Sequence, residues 1–166
     1  MAKPKIALRN RKSLTNDLFF RADRLSDQGQ HRKAFRLFLS GAKAGDDSAQ
    51  LNVGYCYDCG VGTRRNRSAA MYWYKRAYRR GDGSAANNIG TIWRDEHKPK
   101  RALYWFRRAV DLGNDGANVE IAKFYLGERD TARAIRHLEI ALKSDRLAEV
   151  EEEEARRLLK LAGRPT

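Results

Sequence analysis

The 166-residue chain has few of the residues from which most catalytic and metal sites are built: two cysteines, three histidines and three prolines. Cys56 and Cys59 form a lone CxxC pair. A structural zinc site wants four ligands, usually as two pairs, and His31, His97 and His137 lie a repeat or more apart with no second pair at metal spacing. A thioredoxin-like motif would follow a strand, whereas the flanking LNVGYCYDCG reads as a helix running into a glycine turn. The pair is therefore read as two reduced thiols, and neither metal nor cofactor is expected. No apolar run approaches the roughly 18 to 20 residues of a membrane-spanning helix. The first residues, MAKPKIALRNRKS, are basic without an apolar stretch behind them, so they do not resemble a secretory signal. A cytoplasmic location is the expectation, with a weak organelle transit peptide as the alternative reading of that segment.

Acidic residues are also in short supply. Lys and Arg number 34 against 21 Asp and Glu, a net charge of +13 with a pI near 10.1. The 42% hydrophobic and 10% aromatic content exceeds what a disordered basic tail carries, so the chain should fold with a cationic surface. The charge is uneven: +6 over residues 1–49, +5 over 50–85, +2 over 86–117 and zero over 118–166. The basic surface belongs to the first half.

What the sequence has in abundance is repetition. Gly45, Gly81, Gly113 and Asp145 align in one column, 36, 32 and 32 residues apart. Four residues upstream stand Gly41, Ala77, Ala109 and Ala141; eleven upstream stand Ala34, Ala70, Ala102 and Ala134; four downstream stand Ala49, Ala85 and Ala117. Large residues run between them, Leu37, Trp73, Trp105 and His137 in one column and Phe38, Tyr74, Phe106 and Leu138 in the next. Small and large residues at three- and four-residue spacing predict a helix that packs along one face. A second helix precedes it in each unit, marked by Ala22, Gly54, Gly90 and Ala122, with Leu25, Tyr57, Trp93 and Tyr125 three residues later. Turn signals follow at Asp27-Gln28-Gly29, Gly60-Val61-Gly62, around Pro99, and at Gly127 with Asp130-Thr131. Four helical hairpins without a strand are predicted.

The unit AQLNVGYCYDCGVGTRRNRSAAMYWYKRAYRRGDGSA resembles the Sel1-like repeats, relatives of the tetratricopeptide repeats. Ala49, Val53-Gly54, Tyr57, Gly60, Gly62, Ala70, Trp73-Tyr74, Ala77, Gly81 and Ala85 carry the match. The first and third units lack the Gly-x-Gly turn, and the fourth has His137 for Trp and Asp145 for Gly. The resemblance implies an all-α, right-handed α-solenoid over residues 16–149, with repeats at about 16–48, 49–84, 85–116 and 117–149. A basic segment, 1–15, precedes it. A terminal unit needs a polar cover, and residues 145–163 have that composition. Asp145 is expected to cap a helix running to Ala162, followed by Gly163 and Pro165, with Leu147, Val150, Leu158 and Leu161 facing inward and Glu152–Arg156 and Glu153–Arg157 pairing outward.

The inventory does not support an enzyme. Nucleophilic catalysis needs a Ser, Cys or Thr held by a base and an orienting acid, and the histidines here fall at unit boundaries or on packing faces. Gly60-Val61-Gly62 follows a helix and lacks the Gly-Lys-Ser/Thr ending of a phosphate loop. Two binding readings stay open. The resemblance implies a protein-binding module, either an adaptor or a neutralising protein of the immunity or antitoxin type. The charge is equally the footprint of an RNA- or DNA-binding protein, although Trp73, Tyr74, Trp105 and Phe106 sit at the spacing of packing residues. If Ala22, Gly54, Gly90 and Ala122 mark the packing contact of each first helix, then Asp23, Tyr55, Asp58, Thr91, Arg94 and Lys123 are expected to face a partner on the concave side, Tyr55 and Arg94 being the anchor types. Arg64, Arg65 and Arg67 in the long turn, with Lys75, Arg76, Arg79 and Arg80, form the densest positive patch, suited to a partner with an acidic surface.

Overall fold

Short polar side chains set the helix starts. Asp46, Asn66, Asp82 and Asp130 each accept the amide N–H three residues on, at 2.7, 3.0, 2.8 and 2.9 Å, which satisfies a donor that has no partner within the helix. The structure, a computed structural model, describes residues 17–163; the basic segment 1–15 and Pro165 lie outside them. Among these residues all regular structure is helical: α1 over 17–27, α2 His31–Ala44, α3 Asp47–Cys59, α4 Arg67–Tyr78, α5 Gly83–Asp95, α6 Pro99–Asp111, α7 Ala117–Gly127, α8 Thr131–Leu142 and α9 Glu149–Ala162. This is the all-α, α-solenoid class of fold expected from the repeats.

Gly45, Gly81 and Gly113 turn the chain after α2, α4 and α6 with φ of 96°, 91° and 80°, a left-handed conformation that a side chain resists. After α5 and α7 the left-handed residues are His97 and Arg129, at 56° and 58°, while Gly127 is simply the last residue of α7.

The helices group into two compact units that divide between Gly81 and Asp82. In the first, α3 packs on both α2 and α4, and Ala22, Ala34, Phe38, Ala49, Val53 and Trp73 belong to one core. In the second, α5 packs on α6, α6 on α7, α7 on α8, and α9 lies against α8 and α7.

Every aligned small residue on the packing faces is buried, and so is the column Phe38, Tyr74, Phe106 and Leu138. The neighbouring column is less uniform: Trp73 is buried, but Leu37, Trp105 and His137 are only partly covered. The glycines of the preceding helices account for the uniformly buried column in the second and third repeats. A Cβ on Gly54 would stand 2.5 Å from the Tyr74 ring, and one on Gly90 2.6 Å from the Phe106 ring. Each ring lies flush on bare backbone, which only glycine permits.

The last helix departs from expectation. It begins at Glu149, not Asp145, and Glu151 accepts the Ala148 N–H at 3.3 Å. Ala155 is its buried contact, whereas Val150 and Leu161 are exposed, because α9 turns its carboxylates Glu151 and Glu154 toward the unit. Glu152 pairs with Arg156 at 2.5 Å, but Arg157 pairs with Glu154 rather than Glu153.

Candidate functional site

In the first unit the expected residues fall into separate groups. Asp23 is exposed on α1, and Tyr55 is half-exposed on α3. The Cys59 thiol one turn away, aided by partial burial, raises the Tyr55 phenol above its ordinary value. Asp58 is partly covered, and its backbone carbonyl accepts from Arg65 Nε at 2.7 Å, which folds the long turn back on the end of α3. Arg64 and Arg65 border a cleft of about 420 Å³ with Tyr57 and Asn66. Arg64 also edges a wide opening of about 830 Å³ shared with His31, Arg32 and Lys33. Arg67 opens α4, and Lys75 is exposed on it.

Arg76, Arg79 and Arg80 form a second cationic group, brought together with Tyr72 and Gln50 around a cleft of about 250 Å³. The Arg76 guanidinium lies over the rings of Tyr72 and Trp73, 5.9 and 5.4 Å from their centroids, and its Nη1 donates to the Tyr72 hydroxyl at 3.1 Å. Arg80 lies 3.8 Å from Asp47 across an exposed pair. The positive patch read from the sequence is therefore two patches, one on the turn and one on α4.

The second unit treats its charges differently. Arg94 pairs with both Asp95 and Glu120, and Lys123 bridges Glu120 at 2.7 Å and Glu154 at 2.8 Å. Burial works against both cations, yet the surrounding carboxylates outweigh it and hold each above its ordinary pKa. Arg94 and Lys123 thus converge, but on Glu120; with Phe106 and Phe124 they rim a small cavity of about 150 Å³. Thr91, on the same helix as Arg94, is partly covered. Asp115 accepts from Ser144 and Arg146 at 2.7 and 2.9 Å, closing the turn before α9.

Among the described residues no nucleophile, base and acid are brought together as in a catalytic triad. His137 stacks on Tyr125, with ring centroids 5.7 Å apart, and Nδ1 lies 2.9 Å from the buried Asn118 side-chain oxygen. Desolvation, then the nearby Arg107 and Arg136, lower its pKa, so the neutral packing form is favoured. Burial pushes the Cys56 thiol up to about 11, which leaves it unreactive, and Cys59 is exposed and unpaired. Among the described residues no cluster of three or more His, Cys, Asp or Glu could hold a metal, and no helix is long and apolar enough to cross a membrane. Sequence reasoning missed Gln50, Tyr72 and Glu120. The one available signal was Gln50, which stands where the next repeat has Ala86.

Helical hairpins built on recurring small and aromatic columns define a helical-repeat protein. A profile of the Sel1 repeat matches residues 27–46, 47–82, 94–114 and 121–145, and the chain belongs to that family. The Sel1 repeat protein of Oxalobacter formigenes superposes with a TM-score of 0.64 at 26% identity, covering 78% of this chain and 56% of that one. The tetratricopeptide repeat protein YrrB, described as having an unusual peptide-binding site, gives 0.59 at 19% identity over 95% of this chain and 89% of its own. The chitin synthase regulator SKT5 of Saccharomyces cerevisiae is 32% identical over 77 residues, which is 42% of this chain and 11% of that protein. The chain thus spans about a tenth of that curated relative and just over half of the Oxalobacter protein.

Proposed function

We propose that this protein is a non-enzymatic binding module of the cytoplasm that holds a partner protein with an acidic surface, serving as an adaptor or as a neutralising protein of the immunity type. Membership of a repeat family used for protein interaction supports the reading, and one observation carries it. Residues 1–81 hold 18 Lys and Arg against 6 Asp and Glu, a net of +12, while residues 82–166 hold 16 against 15. The excess cations have too few internal acids to pair with, so an external acidic surface would complete them. Tyr55 is the favoured anchor among the first-helix residues because half of its surface is free; Arg94 would first have to leave Glu120.

Capture from the source cytosol, followed by kinetics with the recovered partner, tests this. Reversing Arg76, Arg79 and Arg80 to Glu should slow association and flatten its salt dependence, and Tyr55→Ala should speed dissociation. Full affinity in both variants, with helicity retained by circular dichroism, would remove the site from these residues. The charge also supports a nucleic-acid reading. Micromolar or tighter binding of mixed oligonucleotides at near-physiological salt, with a steep salt slope, would favour it.

A further inference from the structure

The cleft beside α4 differs from its counterparts in the other repeats. At the positions of Tyr72, Arg76, Arg79 and Arg80, α6 and the residue after it carry Tyr104, Arg108, Asp111 and Leu112. The Tyr–Arg stack recurs there, with Arg108 5.4 Å from the Tyr104 ring centroid. In α6, however, the acid is built in: Asp111 takes the place of Arg79 and pairs with Arg108 at 3.6 Å. Just past α4 that place holds a third arginine, and Arg79 has no carboxylate partner among the described residues.

A buried side chain below the arginines makes the same point. Gln50 is 1% exposed and lines the cleft; its Nε2 donates to the Ala42 carbonyl at a long 3.5 Å, and its Oε1 has no partner. An unpaired buried amide oxygen is costly, and native proteins seldom leave one without a use. Its repeat equivalents avoid that cost, since Ala86 has no polar side chain and Asn118 is bonded through both amide atoms, to His137 and to the Asp115 carbonyl.

We propose that this cleft binds an acidic segment of a partner protein. Two or more carboxylates pair with Arg76, Arg79 and Arg80, the methylenes between them pack on the exposed edge of Tyr72, and an N–H of the segment donates to Gln50 Oε1. This rests on the protein-binding reading above and gives it a place and a chemistry. A stacked nucleobase fits less well, because the Tyr72 ring is already in T-shaped contact with Trp73 at 5.2 Å and has Arg76 over one face. Asp47 lies beside the cleft, 3.8 Å from Arg80 in an exposed pair.

A fluorescein-labelled hexaglutamate peptide, titrated by anisotropy with the full chain at about 50 mM salt, is the probe. Arg76→Gln with Arg79→Gln should weaken binding about tenfold or more, as expected when two charge-assisted contacts are lost. Gln50→Met should weaken it about threefold with an equal or higher melting temperature, since it removes the orphan oxygen at constant volume. Asp47→Asn should tighten it, whereas Arg64→Gln with Arg65→Gln should change it less than about twofold. If the Arg64 and Arg65 variant loses binding and the α4 variants keep it, the acidic-partner reading survives and this site is wrong. Loss in the arginine variants with none in Gln50→Met would reduce the cleft to a diffuse field and overturn the proposal. Wild-type protein that ignores hexaglutamate but binds an oligothymidylate through Arg76 and Arg79 would overturn both readings.

Discussion

The two units share one packing plan and use their charges in opposite ways. In residues 82–163, three cations reach carboxylates on distant segments, Arg94 to Glu120, Lys123 to Glu154 and Arg146 to Asp115, and the first two join in a chain of contacts from Asp95 to Glu154. In residues 17–81 Arg76 lies over aromatic rings, Arg80 faces one exposed aspartate, and Arg79 has no carboxylate partner among the described residues. The lesson is that a repeat core constrains so few positions that the remaining surface can be assigned to internal cohesion in one unit and left open for a partner in another.

The largest expected effect tests the shared half of that comparison. Tyr74→Ala and Phe106→Ala remove equivalent buried rings and should each cost roughly 3 to 5 kcal/mol in chemical denaturation. A large loss in one unit and almost none in the other would show that the cores are not built alike. Trp73→Ala should cost more than Trp105→Ala, because only Trp73 is buried.

Next in size, Gly54→Ala and Gly90→Ala drive a methyl into those rings and should each cost about 1 to 3 kcal/mol. The native alanines at Ala22 and Ala122 show that the aligned position itself tolerates the methyl in the first and fourth repeats, the fourth having Leu138 in place of the ring.

The charge contrast is sharpened by a smaller pair. Glu120→Gln removes the carboxylate that Arg94 and Lys123 share, leaving them Asp95 and Glu154, and should lose about 1 kcal/mol, whereas Arg79→Gln should stay within about 0.5 kcal/mol of wild type. Equal losses measured at low and at high salt would argue against the ionic origin of the Glu120 effect.

The smallest effect is a pH dependence confined to the second unit. Burial holds the His137 pKa below the ordinary 6.5, so the unfolded chain takes up the proton first. The contribution is present above pH 6.5 and fades as pH falls toward the folded value. Melting temperature should drop over that window, and His137→Gln, which keeps a group able to bond Asn118, should flatten the slope.

Much of the fold was legible because repeat packing is written in small residues. An alanine or glycine at fixed spacing has one physical use here, to let helices approach, so the columns located the hairpins. The aromatic assignment was harder. In Tyr72-Trp73-Tyr74 the three side chains leave the helix about 100° apart, and only the docking of α3 decides that Tyr74 is buried, Trp73 nearly so, and Tyr72 54% exposed. The same uncertainty hid the α4 cleft, whose residues come from two helices and whose buried member, Gln50, is marked in the sequence only by standing where the next repeat has Ala86.

The sequence by itself determined the repeat period, the helices with their polar starts and left-handed glycine stops, and the concentration of positive charge in the first half. These follow from local sterics, capping and composition. The tertiary structure alone decided which cations are neutralised. Glu120 meets Arg94 across 26 residues, and Asp115 meets Arg146 across 31, pairings that no local spacing encodes. Whether an arginine is matched or left open depends on which helix lies beside it, and that is settled only when the hairpins pack.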